Sequence, residues 1–579
     1  MSKLANFVWG IADQLRGVYK QHQYGGVILP FTILRRLDCI LEPTREEVWT
    51  LATKYTGGAL DVQVKRKTGL GFYNTSPFNF ARLLEDPEGL RANLMDYITG
   101  FSANIDVFER FRFENELATL DEKNRLYLVT SKFAEVDLHP DTVPNAEMGD
   151  LFEHLIYKFA EASNEEAGEH YTPRDAIRLM VDLLFAEDNQ ALLEPGTVRA
   201  IYDPTAGTGG MLSVAEERLL ERNPDARLRL YGQENNDQTY AICKSDMLAK
   251  GQDAGNIRLG DTLADDQFWD RTFDFCMSNP PYGIEWTASQ EAVKKEALVQ
   301  GSRFSHGLPS VGDGQMLFLC HLAHKMRPAH EGGGRAGIVL NGSPLFNGAA
   351  ESGPSTIRQW LFESDLVEAI VALPINMFFN TGIATYIWIL DNTKRPERQG
   401  KIQLIDATSF WTKMRKNLGA KSREVDAAGR DRILALYDAF DEADPDHSKI
   451  LTANDFAYWT ITVERPLLDK SGKPVTDRKG NPKPDAKKRD SENVPFTYGG
   501  NGEGDAGRAA TIKAYFETEV HPHVPDAWVD AAKTKVGYEI PFTRQFYKYV
   551  PPRPLAEIDA DLEKQVAKIM DLLREVERN

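Results

Sequence analysis

Asn279, Pro280, Pro281 and Tyr282 stand in the stretch CMSNPPYGIEW, directly behind the apolar run Phe273-Asp274-Phe275. Proline donates no ladder hydrogen bond and pushes the residue before it out of the helical region, so the pair ends a strand and stiffens the corner that follows. Such a corner suits one kind of chemistry. The exocyclic amine of a nucleic-acid base is a poor nucleophile, because its lone pair is delocalised into the ring. Two fixed acceptors, the Asn279 side-chain oxygen and the Pro280 carbonyl, can take both of its N–H groups, draw the nitrogen toward tetrahedral geometry and free the lone pair. Tyr282 offers a ring to stack on a base that has left the duplex.

Three earlier stretches have the residue types to hold a small ligand beside that corner. DPTAGTGGML, at 203–212, follows the strand-like RAIY, and its Gly207, Gly209 and Gly210 let the backbone turn tightly and approach a ligand. The turn serves NAD, FAD, S-adenosylmethionine or no ligand equally well by itself. It lacks both the G-x-G-x-x-G spacing and the Gly-Lys-Ser/Thr of phosphate cradles, so a cofactor without a pyrophosphate is preferred. In YGQENN, at 231–236, Glu234 ends the next strand, where a carboxylate can accept both ribose hydroxyls of an adenosine or stand as a plain surface residue. In RLGDTL, at 258–263, Asp261 is either an acceptor for an adenine amino group or a turn residue.

The elements that must position these residues follow from the apolar rhythm. Residues 1–160 read as helical: ANFVWGIADQLRGVY, GGVILPFTILRRLDCILEPT and MGDLFEHLIYKFAEAS carry apolar side chains at helical spacing, with Gly and Pro punctuating between these stretches. From about 168 short strands alternate with helices, which predicts a largely parallel sheet wrapped by helices, with ligands at the carboxyl ends of its strands. After about 395 the pattern loosens. Residues 470–490 hold eight Lys or Arg against three Asp and read as a flexible solvated insertion in preference to a DNA-touching loop. Leu555, Ile558, Leu562, Val566, Ile569, Leu573 and Val576 make an apolar stripe on a terminal helix, for its own domain or for a partner helix. DPDHSKILTAND, at 444–455, imitates a calcium loop, but Lys449 replaces the required Gly and the terminal Glu is missing, so it reads as an ordinary loop.

Bulk properties narrow the class. A chain of 579 residues implies about three to four compact units. A formal net charge of -18 argues against gripping nucleic acid over the whole surface, so DNA binding would rely on another chain. The start meets Asp13 and Arg16 too early for a signal peptide, and no run approaches the ~18 apolar residues of a membrane span, so the expectation is a cytoplasmic protein without membrane contact. Cys39, Cys243, Cys276 and Cys320 form no C-x-x-C pair, and Cys320, His321 and His324 lie in the amphipathic QMLFLCHLAHKM. Neither a disulfide nor a metal site is expected.

Asn279-Pro280-Pro281-Tyr282 after DPTAGTGG resembles the S-adenosylmethionine-dependent amino-methyltransferases of DNA. GEHYTPRDAIRLMVDLL, GDGQMLFLCHLAHKM, GRAGIVLNGSPLFNG, LPINMFFNTGIATYIWIL and YWTITVERPL extend the likeness over most of the chain to the modification subunits of type I restriction-modification systems. The resemblance implies a class I methyltransferase fold, Rossmann-like with a mostly parallel sheet, over 161–410. It also implies an N-terminal helical domain over 1–160 and a C-terminal extension over 411–579 that ends in a partner-docking helix at 555–579. Glu169, His170, Tyr171, Thr172, Pro173 and Arg174 would wrap the methionine end of S-adenosylmethionine; Asp203, Thr205, Gly207, Thr208, Gly209 and Gly210 would hold its backbone, Glu234 its ribose and Asp261 its adenine. Asn279, Pro280, Pro281 and Tyr282 would act on the target amine, and Phe378 or Phe379 would flank the flipped base. The implied reaction is methylation of adenine N6 in double-stranded DNA, with N4 of cytosine, a protein glutamine, or a non-catalytic assembly role as alternatives. The implied partners are a specificity subunit, one per two modification chains, and a restriction subunit that carries the nuclease.

Overall fold

Between residues 24 and 41 the chain reads YGGVILPFTILRRLDCIL, apolar on every side, the pattern of a helix buried all round. The structure is a computed structural model that describes residues 10–20, 23–144, 147–148, 151–152, 155, 172–186, 192–250, 252–379, 381–500, 504–549 and 554–578. In it this stretch forms helix α1 (Tyr24–Leu41), which runs unbroken through Gly25, Gly26 and Pro30. The helical reading of this stretch matches, and tertiary packing carries the helix through its interior proline. An interior proline costs about 3 kcal/mol, and burial of Val27, Ile28, Phe31 and Leu34, each contributing about 1.5–3 kcal/mol, offsets it. Phe31 meets Phe113 edge-on at 5.0 Å and stacks on Phe133 at 5.2 Å, so the later helices close over α1.

The second region is a nine-stranded sheet with the order β11-β8-β6-β7-β5-β4-β1-β2-β3. Its strands are β1 (Val198–Asp203), β2 (Arg227–Glu234), β3 (Ile257–Leu259), β4 (Phe275–Ser278), β5 (Arg335–Asn341), β6 (Val367–Ala372), β7 (Thr385–Asp391), β8 (Lys401–Asp406) and β11 (Ser448–Thr452). Strands β3, β2, β1, β4 and β5 run parallel to one another. Strand β7 inserts antiparallel between β5 and β6, and β11 closes the edge antiparallel to β8. The mostly parallel sheet matches the expectation. The reading of 444–455 as a loop holds only for its first residues, because Ser448–Thr452 pairs residue by residue with the sheet edge.

Helices coat this sheet on both faces. Ile201, Phe275 and Met277 join the core beneath α2 (Arg174–Ala186) and α3 (Gly210–Arg222). The neighbouring Tyr202 turns the other way, and its hydroxyl meets His321 Nε2 of α5 (Gln315–Lys325) at 3.2 Å. Helix α4 (Asp237–Ala249) is shared between regions: Tyr240, Cys243 and Met247 face the sheet core, while Ala241, Ile242 and Leu248 enter the core of the N-terminal helices. Lys244 to Asp106 at 2.8 Å and Arg110 to Asp237 at 3.2 Å border that junction.

Two short strands, β9 (Thr412–Leu418) and β10 (Lys421–Glu424), make a hairpin beyond β8, and β12 (Ala457–Glu464), β13 (Asp490–Pro495) and β14 (Trp528–Tyr538) form a separate antiparallel sheet with β12 in the middle. The chain divides into two compact units, Met1–Ile540 and Pro541–Asn579. The second contains α6 (Leu555–Arg578), along which Leu555, Ile558, Leu562, Val566 and Ile569 are exposed. No helix among the described residues is long and apolar enough to cross a membrane.

Candidate active site

Strands β1, β2 and β4 end side by side, and their carboxyl ends open into one cavity of about 410 Å³. The register explains the meeting. Tyr202 pairs with Tyr231 on one side and Cys276 on the other, so the residues just beyond, Thr205, Glu234 and Asn279, arrive at the same edge. Of the residues singled out in the sequence, Thr172, Thr205, Gly207, Thr208, Gly210, Glu234, Asp261, Asn279 and Pro281 line this cavity.

The glycine turn is held from below and behind. Gly207 and Gly209 have φ of 53° and 82°, left-handed values that side chains disfavour. A Cβ on Gly209 would stand 2.8 Å from Cys243 Sγ, so the turn is pressed against α4. Glu234 accepts the Gly207 N–H through Oε2 at 2.8 Å and the Asn236 N–H through Oε1 at 2.8 Å. Asn236 caps α4 by accepting from the N–H groups of Gln238 and Thr239. One carboxylate thereby ties the glycine turn to the start of the helix behind it, while its remaining lone pairs stay free to accept.

Asp203 is wholly buried and lies behind the turn, not among the lining residues. Its Oδ1 accepts from Thr205 N at 2.9 Å and Thr205 Oγ1 at 3.2 Å, while Oδ2 has no partner among the described residues. Burial pushes its carboxyl up to about 7, against the pull of the Thr205 bonds. Asp261 accepts from Leu263 N through Oδ1 at 2.9 Å and from Ser289 Oγ through Oδ2 at 2.5 Å.

At the other end Asn279 donates through Nδ2 to Thr172 Oγ1 at 2.8 Å and accepts through Oδ1 from the Tyr282 hydroxyl at 2.6 Å. Burial raises the Tyr282 phenol well above its ordinary value, so it stays a donor. Its ring meets Phe378 nearly perpendicularly, centroids 6.2 Å apart, and Phe378 is buried while Phe379 is half-buried. Neither Phe lines the cavity, nor do Tyr282, Pro280, Pro173, Arg174 or Gly209. Glu169, His170 and Tyr171 lie outside the described residues.

Several participants carry no signal of their own in the sequence. Ser278, one position before Asn279, shares a 2.8 Å hydrogen bond with Thr205 Oγ1 and stitches β4 to the glycine turn. Thr262, beside Asp261, donates to the Pro204 carbonyl at 2.6 Å. Asn235, Ile284 and Phe318 also line the cavity. Position beside a motif residue was the one available clue for Ser278 and Thr262.

The lining decides what kind of ligand fits. Glu234 and Asp261 bring carboxylates to the cavity, and among the described residues no Lys, Arg or His lines it. A pyrophosphate would find acceptors where it needs donors. A cationic, hydroxyl- and amine-bearing molecule fits these acceptors, and the volume falls in the range of cofactor pockets.

Comparison with known proteins gives the same direction. The N-6 DNA Methylase family model matches residues 144–462, and the HsdM N-terminal domain model matches residues 4–133. The type I restriction enzyme MjaIX methylase subunit of Methanocaldococcus jannaschii is 26% identical over 478 residues, 77% of this chain and 78% of that protein. The HindI methylase subunit of Haemophilus influenzae is 30% identical over 264 residues, 45% of this chain and 54% of its own length. The chain thus spans most of the first relative and about half of the second. In fold it resembles the type I restriction-modification system methyltransferase subunit from Streptococcus thermophilus, with a TM-score of 0.60 at 24% identity over 78% of this chain and 95% of that one.

Proposed function

The chain belongs to the N-6 DNA Methylase family, and from that premise we propose that it methylates N6 of adenine in double-stranded DNA, using S-adenosylmethionine, as the modification subunit of a cytoplasmic type I restriction-modification complex. One observation carries this reading: Asn279 opens into the same cavity as Glu234 and Asp261, so an amine-activating end and an adenosine-holding end share one space. When bound, S-adenosylmethionine supplies an electrophilic methyl group on a sulfonium. Glu234 would accept from the cofactor's ribose hydroxyls with the lone pairs its backbone bonds leave free, Asp261 would accept from the adenine amine, and the turn at 207–210 would support the methionine part together with Thr172 and the segment before it.

On the target side, Asn279 Oδ1 and the Pro280 carbonyl accept the two N–H groups of a base rotated out of the duplex. The Tyr282 hydroxyl holds that same Asn279 oxygen, so it yields the position as the amine arrives and its ring turns to stack on the base. With the cofactor bound, the freed lone pair would attack the methyl carbon in line, the C–S bond would break to leave a neutral thioether, and the nitrogen's proton would pass to solvent. Phe378 supports the Tyr282 ring from the edge.

The exposed stripe of α6 supports docking to a specificity subunit shared by two of these chains, with cleavage supplied by a restriction subunit. Two measurements test the whole reading: tritiated methyl transfer to duplex DNA in the presence of the partner chains, and mass spectrometry of the digested DNA for N6-methyladenine. Label on cytosine, or on protein alone, overturns the substrate assignment. Deleting 555–579 should abolish co-purification with the specificity chain while cofactor binding persists; survival of the complex removes the docking role.

A further inference from the structure

The stretch between β12 and β13 folds into a built object. Asp469, Asp477 and Asp485 recur every eight residues, as do Gly472 and Gly480 and, between them, Pro474 and Pro482. Each Asp starts a turn by accepting backbone N–H groups through Oδ1: Ser471 at 2.8 Å and Lys473 at 3.0 Å, Lys479 at 2.8 Å and Asn481 at 2.9 Å, and Lys487 at 3.0 Å. Gly472 and Gly480 supply the positive φ, 80° and 85°, that these turns require. Three backbone bonds then close a ring, Leu467 N–H to Lys483 O, Lys483 N–H to Val475 O and Val475 N–H to Leu467 O, all at 2.8 Å. Bridges Pro466 to Pro484, Leu468 to Pro474 and Thr476 to Pro482 repeat the same three-part pattern. The expectation of a solvated basic segment holds for its exposure, but the backbone is pinned at every turn.

We propose that this spur is a clamp for the phosphodiester backbone of duplex DNA. Lys470, Lys473, Arg478, Lys479, Lys483, Lys487 and Lys488 are exposed, and none forms an ion pair within 4.0 Å among the described residues. Arg489 differs, pairing with Glu464 Oε1 at 2.8 Å and fastening the last turn to β12. The turn carboxylates are engaged locally, Asp469 by the Ser471 hydroxyl and backbone N–H groups and Asp477 by backbone N–H groups, and those bonds hold both below the usual carboxylate range. The result is a set of exposed cations on a pinned backbone, in a chain whose formal net charge is -18. A solubilising tail needs no ring of hydrogen bonds to hold it. A periodic polyanion does repay fixed cation spacing, because each neutralised phosphate releases counterions and a preset array loses little entropy on binding. Duplex DNA is the polyanion that the proposed function brings to this chain, and the inference rests on that reading.

The test neutralises four cations while leaving every turn Asp and Gly in place: Lys470→Gln, Lys473→Gln, Lys479→Gln and Lys483→Gln in the full chain with its partners. Affinity for mixed-sequence duplex DNA is measured across salt concentrations. The slope of log affinity against log salt should flatten by about 0.9 for each phosphate that is no longer neutralised, roughly 2–4 in all. The Michaelis constant for DNA should rise severalfold, with cofactor affinity and saturated turnover unchanged. A Lys→Arg set at the same positions should keep the wild-type slope. An unchanged slope in the Gln variant overturns the clamp, as does loss of a protein partner with the DNA slope intact. If wild-type protein transfers no methyl to DNA, the proposed function fails by its own readout, and the salt slope still judges the spur.

Discussion

The two ends of the cavity are held together differently. At the cofactor end the side chain that matters most, Glu234, is bound to backbone N–H groups of Gly207 and Asn236, which cannot move without moving a strand end or a helix start. At the target end Asn279 is bound to two other side chains, Thr172 and Tyr282, which can rotate away. The difference teaches which end is preformed. On the proposed function, a small cofactor would meet acceptors already in position, whereas an incoming base would have to exchange partners with a tyrosine.

The sharpest way to break this contrast is Asn279→Ala. Removing a preorganised transition-state partner costs about 10²–10³ in rate, so single-turnover methyl transfer should fall by that factor while calorimetric cofactor affinity stays within about threefold. If affinity falls in step with rate, the two ends are not separable. Next in size is Glu234→Ala, which should weaken cofactor binding about 10–100-fold. It should also destabilise the protein by about 1–3 kcal/mol, read from thermal unfolding, because Gly207 and Asn236 lose their acceptor.

Tyr282 separates ring from hydroxyl. Loss of stacking in Tyr282→Ala should lower kcat/KM for DNA by about 10-fold or more, since base–aromatic stacking contributes about 1–3 kcal/mol. Tyr282→Phe keeps the ring and frees the Asn279 oxygen from a bond of about 1 kcal/mol, so kcat/KM should be unchanged or rise by up to about fivefold. A large drop in the Phe variant would mean that the hydroxyl has a role beyond holding Asn279.

A separate test, on stability and not on turnover, concerns Asp203. Its carboxyl titrates near 7 when folded and near the ordinary 3.8 when unfolded, so between those values the folded state holds the extra proton. Wild-type stability should therefore decline as pH rises from about 4 to about 7 on this account and level off above it. Melting temperatures of Asp203→Asn should show a shallower decline across that window; parallel curves would mean the buried carboxyl does not titrate there.

The parts of this molecule that were legible in the sequence are those whose signal is local. A strand, a glycine-rich turn and a helix follow one another at 198–222, and the double proline ends β4 where the pattern indicated. Asp203 shows the limit of such reading. It looks like a ligand group by its place at a strand end, but its burial and its bonds to Thr205, which does line the cavity, come from packing that the local sequence does not show. Pro30 lies inside a stretch read as helical, and the helix persists there because packing against residues a hundred positions away offsets the cost of an interior proline. The spur at 466–489 was visible as charge and missed as architecture. Its eight-residue repeat acquires meaning only through hydrogen bonds that close between three separated segments.

Helix α4 makes the pocket a shared possession of two regions. Cys243 presses on the glycine turn from one face while Ala241, Ile242 and Leu248 are gripped by the N-terminal helices from the other. Packed atoms transmit displacement with little give. A displacement of the N-terminal helices would therefore be felt at the glycine turn through a single helix.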